Sequence, residues 1–144
     1  MTVILYTIGY KGGLQADELR AWAVAHRAVV ADVRLLPLSR AWQWRRPYLE
    51  RVLGSRYRWV RDLGNLNYRR GPVLLAHPER GVEIVSAMLV KGPVALLCVC
   101  ASVGSGERRC HRLDAADLIA TATGATIIHL ALADLRPATQ LPLL

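Results

Sequence analysis

The sequence predicts an α/β fold: a single three-layer domain with a mostly parallel sheet of about five strands and helices on both faces. Three observations carry this. Short apolar, β-branched runs alternate with segments of helical periodicity along the chain. The most apolar run, Val94–Val99, lacks polar alternation, as a strand buried on both faces does. And 144 residues, 53% of them hydrophobic, are enough for one core without crosslinks.

The elements follow in order. Val3–Ile8 reads as the first strand, and Gly9–Gly13 as the turn after it. Over Leu14–Arg27, Leu19, Trp22, Ala23 and His26 share one helical face. Val29–Val33 is the second strand, followed by a long basic loop that Pro37 and Pro47 punctuate. Pro47–Leu53 suits a short helix that Gly54 terminates, and Tyr57–Val60 alternates as a third strand. Residues 62–77 read mostly as loop, with Pro72–Ala76 available for pairing. Pro78 opens a helix whose Val82, Val85, Met88 and Leu89 keep helical spacing up to Gly92-Pro93. Val94–Val99 is the fourth, central strand. Arg112–Thr123 is helical, with Leu113, Ala116, Leu118, Ile119 and Ala122 as its apolar positions, and Gly124 suits its C-terminal cap. Ala125–Leu130 is the last strand. One domain is expected over residues 1–133, with 134–144 as a tail.

The net charge is +8, and 17 of the 19 basic residues are arginine. Residues 34–70 hold ten arginines against Glu50 and Asp62, so the whole excess charge sits there; the rest of the chain balances. The same segment carries Trp42, Trp44, Trp59, Tyr48, Tyr57 and Tyr68, six of the nine aromatics. Arginines interleaved with aromatics suit a phosphate backbone and stacked bases, against the plainer reading of a solvated basic surface over buried tryptophans. No apolar run is long enough for a membrane span, and the N-terminus lacks the pattern of a signal peptide. A cytosolic protein with reduced cysteines is expected.

In open α/β sheets, ligands bind beyond the carboxyl ends of the strands. Gly9 and Tyr10 follow the first strand, Arg34 the second, Arg61 the third, and the cysteine loop the fourth. All three cysteines lie in residues 98–112, CVCASVGSGERRCHR. Cys98 and Cys100 share one strand face about 6.6–7 Å apart. Structural zinc sites usually space their cysteines C-x₂₋₄-C, so a Cys₃His set is not expected here, nor is any other metal or cofactor. Cys98 reads as a small core hydrophobe at the rim. Cys110 falls at the start of a helix, where free N–H groups and Arg108, Arg109 and Arg112 favour a thiolate and equally receive an oxyanion. The loop is not a P-loop, and Arg112 is too near Cys110 for a Cys-x₅-Arg phosphatase loop. His111 is either a general acid/base or a structural partner of Asp114 or Asp117. Arg34 is either an anion clamp or bound to Asp32. His129 reads as a core histidine.

Taken together, Tyr6-Thr7-Ile8-Gly9-Tyr10, Asp32-Val33-Arg34 with Pro37 and Ser39, Leu63-Gly64, Leu96-Leu97-Cys98, Cys110-His111-Arg112 and Ile128-His129-Leu130 form an ordered set. That set resembles the bacterial and archaeal family called domain of unknown function 488, from about Tyr6 to Leu130. The resemblance implies a small cytosolic α/β domain and no established reaction. The chain departs from the family pattern at Asn65, where a second glycine is frequent. It departs again at Val99-Cys100, where Ala-Glu is frequent; the first acid in that loop is Glu107.

Two functions fit these residues. One is a cysteine-dependent enzyme acting on a nucleotide or nucleic acid: Cys110 as nucleophile, His111 as general acid/base, Arg112 and Arg34 holding phosphate, and Tyr10, Arg61, Cys98, Arg108 and Arg109 lining the site. The other is a binding module without chemistry, in which segment 34–70 contacts phosphates and bases. A third reading is a redox sensor built on Cys98, Cys100 and Cys110. The expected partner is nucleic acid or a phosphorylated small molecule, with no membrane involved.

Overall fold

The computed structural model describes residues 2–136; residues 137–144, the end of the expected tail, lie outside the described residues. Five strands form one sheet: β1 (Ile4–Gly9), β2 (Val29–Asp32), β3 (Tyr57–Trp59), β4 (Val94–Cys98) and β5 (Thr126–His129). Their order is β3-β2-β4-β1-β5, and every pairing is parallel. β4 is central and buried along its whole length, as its unbroken apolar run requires. The edge strand β3 has three residues and an exposed Arg58, a short charged edge of the kind that discourages further pairing.

The helices are α1 (Ala16–His26), α2 (Arg46–Leu53), α3 (Pro78–Lys91), α4 (His111–Thr123) and the short α5 (Leu132–Leu135). Strand alternation divides the core in two. Ile8, Val30, Ala95 and Leu97 pack with Leu19 and Trp22 of α1, Leu49 and Leu53 of α2, and Leu135 of α5. Leu5, Ala31, Val94, Leu96 and Cys98 pack on the other face with Val85 and Leu89 of α3 and Ala115, Ala116 and Ile119 of α4. Each face of a two-sided strand thus buries every second residue.

The loops beyond the strands are held by close backbone approaches. A Cβ on Gly64 would lie 2.6 Å from Leu35 Cα and 2.8 Å from Leu35 N. Both atoms are backbone and cannot swing aside. Gly64→Ala is expected to destabilise the fold by about 1–3 kcal/mol, the cost of forced overpacking. Urea unfolding would check this, and a neutral substitution would show that the loops after β2 and β3 are not tightly apposed.

Helix α4 departs from the expected phase. Its buried residues are His111, Arg112, Ala115, Ala116 and Ile119, whereas Leu118 is exposed and so is Ala122. The first turn faces inward with its polar residues; Ala116 and Ile119 are buried as expected, while Leu118 and Ala122 face solvent.

Candidate functional site

The chain leaves β2 towards α2 on one face of the sheet and leaves β4 towards α4 on the other. Diverging exits of neighbouring strands open a crevice at their carboxyl ends. A cleft of about 600 Å³ lies there. Arg34–Leu36 and Leu38 form one side, Cys98–Cys100 and Arg108–His111 another, and Asn65, Asn67–Gly71 and Val73 a third. The third side is a loop folded on itself. Asn65 Oδ1 accepts hydrogen bonds from the N–H groups of Asn67 and Leu74, each at 3.0 Å, and the Leu66 N–H donates to the Leu74 carbonyl at 2.7 Å. Asn65 also bridges to Leu75, so pairing reaches one residue of the stretch Pro72–Ala76.

Arg34 is 3% exposed. Its Nε donates to Asp32 Oδ1 at 2.8 Å and its Nη2 to Asp32 Oδ2 at 2.6 Å. The Tyr57 hydroxyl donates to Asp32 Oδ2 at 2.5 Å, and the Trp59 indole N–H donates to the Arg34 carbonyl at 2.8 Å. Burial works to lower the Arg34 pKa, but the Asp32 carboxylate outweighs it, and the net shift is upward. Burial, with Asp32 alongside, pushes the Tyr57 phenol well above its ordinary value. Among the described residues Arg34 Nη1 is buried without a hydrogen-bond partner. The Asp32–Arg34 pairing weighed against an anion clamp is therefore present, with one donor left over.

The floor of the cleft carries sulfur and imidazole. Cys98 ends β4, and Cys110 is the N-cap residue of α4, where the chain pattern places it. His111 Nε2 donates to the Val33 carbonyl at 2.7 Å, and Cys98 Sγ lies beside the ring, 3.6 Å from Nδ1 and 4.0 Å from Nε2. The donor atoms of Cys98, Cys110 and His111 all lie within 4.8 Å of one another. A hydrogen bond from Cys110 lowers the Cys98 pKa against the effect of burial. Burial acts to lower the His111 pKa, but Cys110 and the Val33 carbonyl raise it overall. Cys100, exposed, donates to Cys110, and with burial this pushes its own pKa far up, so its thiol stays protonated. Cys98 is thus a core residue and a member of the centre at once. The neighbours Cys110 and His111, which a regular helix would point apart, converge because Cys110 stands just outside the helix.

Arg112 lies elsewhere. It is 1% exposed, its Nε donates to Thr7 Oγ1 at 3.2 Å, and its Nη1 donates to the Cys100 carbonyl. It is a strut between β1 and the cysteine loop and stands outside the walls of the cleft. The Thr7 hydroxyl in turn hydrogen-bonds His129 Nδ1 at 2.6 Å, and burial followed by the Arg112 charge lowers the His129 pKa. His129 is exposed at the edge strand, in contrast to the core position expected of it. Tyr10 stacks on buried Trp44 at 4.6 Å with the Arg34 guanidinium over its ring, and Arg61 is exposed in the turn after β3; both stand apart from the cleft walls. Arg108 lines the cleft in the open, while Arg109 lines it paired with Asp114 at 2.7 and 2.8 Å. The Glu107 side chain lies outside the described residues.

The family model for DUF488, a domain of unknown function, matches residues 19–74. Over those residues, 56 of the 144, the chain is similar to the DUF488 family. The DUF488 match takes in Asp32, Arg34, Gly64 and the loop through Arg69 and Arg70, one half of the cleft; the cysteine loop falls beyond it. No curated protein and no solved structure matches the chain. No helix among the described residues is long and apolar enough to cross a membrane.

Spacing along the chain gives Thr7 and Asn67 no place in the site, and it does not pair Tyr57 with Asp32 or fold the loop on Asn65. Thr7 carries a signal, a hydroxyl inside an apolar strand that needs a partner. Asn-Leu-Asn at 65–67 carries another, a side chain that turns its own backbone.

Proposed function

We propose that this protein binds a phosphorylated ligand, a nucleotide or a stretch of nucleic acid, in the cleft between β2 and β4. It acts on that ligand through the sulfur–imidazole centre at the floor, in a compartment that keeps thiols reduced. The observation that carries this is the cleft's lining: Arg34, Arg69, Arg70, Arg108 and Arg109 surround Cys98, Cys110 and His111, with no aspartate or glutamate among the described side chains. Arg34 and Arg109 are neutralised by Asp32 and Asp114. Arg69, Arg70 and Arg108 are exposed and supply the net attraction.

Fluorescence anisotropy with a labelled oligonucleotide, and calorimetry with ATP, test the reading. Arg69→Ala and Arg70→Ala should each weaken binding and reduce the slope of affinity against salt by about one. Both side chains are exposed, so the melting temperature should stay put. Unchanged affinity in both variants would refute the cleft as a phosphate site.

Binding without chemistry is the second reading, favoured by the exposure of Trp42 at 62% and Tyr68 at 52%, since exposed aromatic faces stack on bases. It predicts that Trp42→Ala weakens oligonucleotide binding and that the ligand is recovered unaltered.

A further inference from the structure

We propose that Cys98 Sγ, Cys110 Sγ and His111 Nδ1 bind one zinc ion, with its fourth coordination position facing the arginine-lined cleft. The site does not depend on phosphate binding, although it lies in the same floor.

Four observations carry it. The first is spacing. Tetrahedral zinc with bonds of about 2.3 Å to sulfur and about 2.0–2.1 Å to nitrogen holds its donors roughly 3.5–3.8 Å apart. Cys98 Sγ and His111 Nδ1 are 3.6 Å apart, and the three donors lie within 4.8 Å of one another. The second is the outer partner. A metal-bound histidine almost always donates its other ring N–H to a carboxylate, a backbone carbonyl or water. His111 Nε2 does so to Val33 at 2.7 Å, which leaves Nδ1 as the unprotonated nitrogen, 3.6 Å from Cys98 Sγ. The third is charge. All three residues are buried, and two thiolates with one divalent ion and a neutral imidazole sum to zero, which lowers the cost of burial. The fourth is access. Cys98, Cys110 and His111 all line the cleft, so three protein ligands leave one position open, the arrangement of catalytic rather than structural zinc. The support is firm: Cys98 ends the central strand, and the Cys110 N–H is held by the Val103 carbonyl at 2.6 Å. Linear spacing hid this set. Cys98 and Cys100, two apart in the chain, do not make a zinc pair, and both Cys110 and His111 come from the start of α4.

Loading the site displaces the thiol protons of Cys98 and Cys110 to solvent, with no change of oxidation state. The test uses the reduced full chain, stripped with EDTA and titrated with cobalt(II) and then zinc. One equivalent of cobalt should give a thiolate-to-cobalt charge-transfer band and intense tetrahedral d–d bands, which zinc bleaches. Cys98→Ser and Cys110→Ser should each lower zinc affinity by more than the roughly 10–100-fold that loss of an outer partner costs. Cys100→Ser should keep one ion per chain. X-ray absorption of the zinc-loaded unaltered protein needs no variant and should show two sulfurs and one imidazole nitrogen. Absence of the cobalt spectrum, a first shell without sulfur, or a Cys98–Cys110 disulfide formed in preference to zinc uptake would overturn the site. Oligonucleotide binding by stripped and loaded samples separates the two proposals. Zinc uptake without oligonucleotide binding refutes the phosphate reading alone, and the reverse refutes the metal alone.

Discussion

Asp32→Ala is expected to cost about 3–5 kcal/mol, enough to unfold much of the population of a marginally stable domain. Asp32 is fully buried and accepts hydrogen bonds from the Arg34 side chain, the Arg34 N–H and the Tyr57 hydroxyl. Its loss strands a guanidinium that is 3% exposed and already carries one unpartnered nitrogen. The cost is that of a buried charge left alone, which exceeds the net worth of the pair itself. Asp32→Ala combined with Arg34→Leu should therefore recover most of the loss, because both charges leave together. Urea unfolding of the two variants decides the matter. A single substitution costing less than about 1 kcal/mol would mean that Arg34 reaches water and is not held as described.

Gly9→Ala should be comparably damaging, and it should remove the site as well. A Cβ on Gly9 would collide with the Cys100 carbonyl and the Arg112 Nη1 that donates to it. The carbonyl is backbone, and the loop cannot retreat freely. The Tyr10 N–H is bonded to the Cys98 carbonyl at 3.1 Å and the Lys11 N–H to the Val99 carbonyl at 2.9 Å, which laces the end of β1 to the cysteine loop. A loss of about 3 kcal/mol or more is expected from the overpacking and the broken charged hydrogen bond together. Thermal unfolding and zinc uptake on the same sample would check it. Full stability with full zinc uptake would show that the loop does not rest on Gly9.

The strands were legible because burial on two faces writes itself as uninterrupted β-branched and aliphatic runs. Val94–Cys98 is the clearest case, and it is the centre of the sheet. The rim was legible for the same reason: once parallel strands are placed, Arg34 and the cysteine loop must follow them at the same side of the sheet, although their adjacency came from the strand order. The capping position of Cys110 followed from the helix that begins after it. The inward turn of Arg112 was not legible. An arginine reads as exposed unless its partners are known, and those partners are Thr7 and the Cys100 carbonyl, which lie far off or in a loop of no regular pattern. The phase of α4 held only in part: Ala116 and Ile119 are buried, but the first turn is buried through polar pairing rather than apolar contact, and Leu118 and Ala122 face solvent.

The sequence by itself determined an α/β chain with a parallel sheet, a basic segment over residues 34–70 and a cysteine loop at the strand ends. These are properties of local composition and period, which neighbouring residues settle among themselves. The tertiary structure alone decided that the donor atoms of Cys98, Cys110 and His111 cluster, that Arg34 is locked to Asp32, and that Arg69 and Arg70 reach the same cleft. Each of these depends on directions of side chains brought together across the sheet. Such directions are set by strand register, by the exit of each loop and by hydrogen bonds such as His111 to Val33, and spacing along the chain carries no record of them.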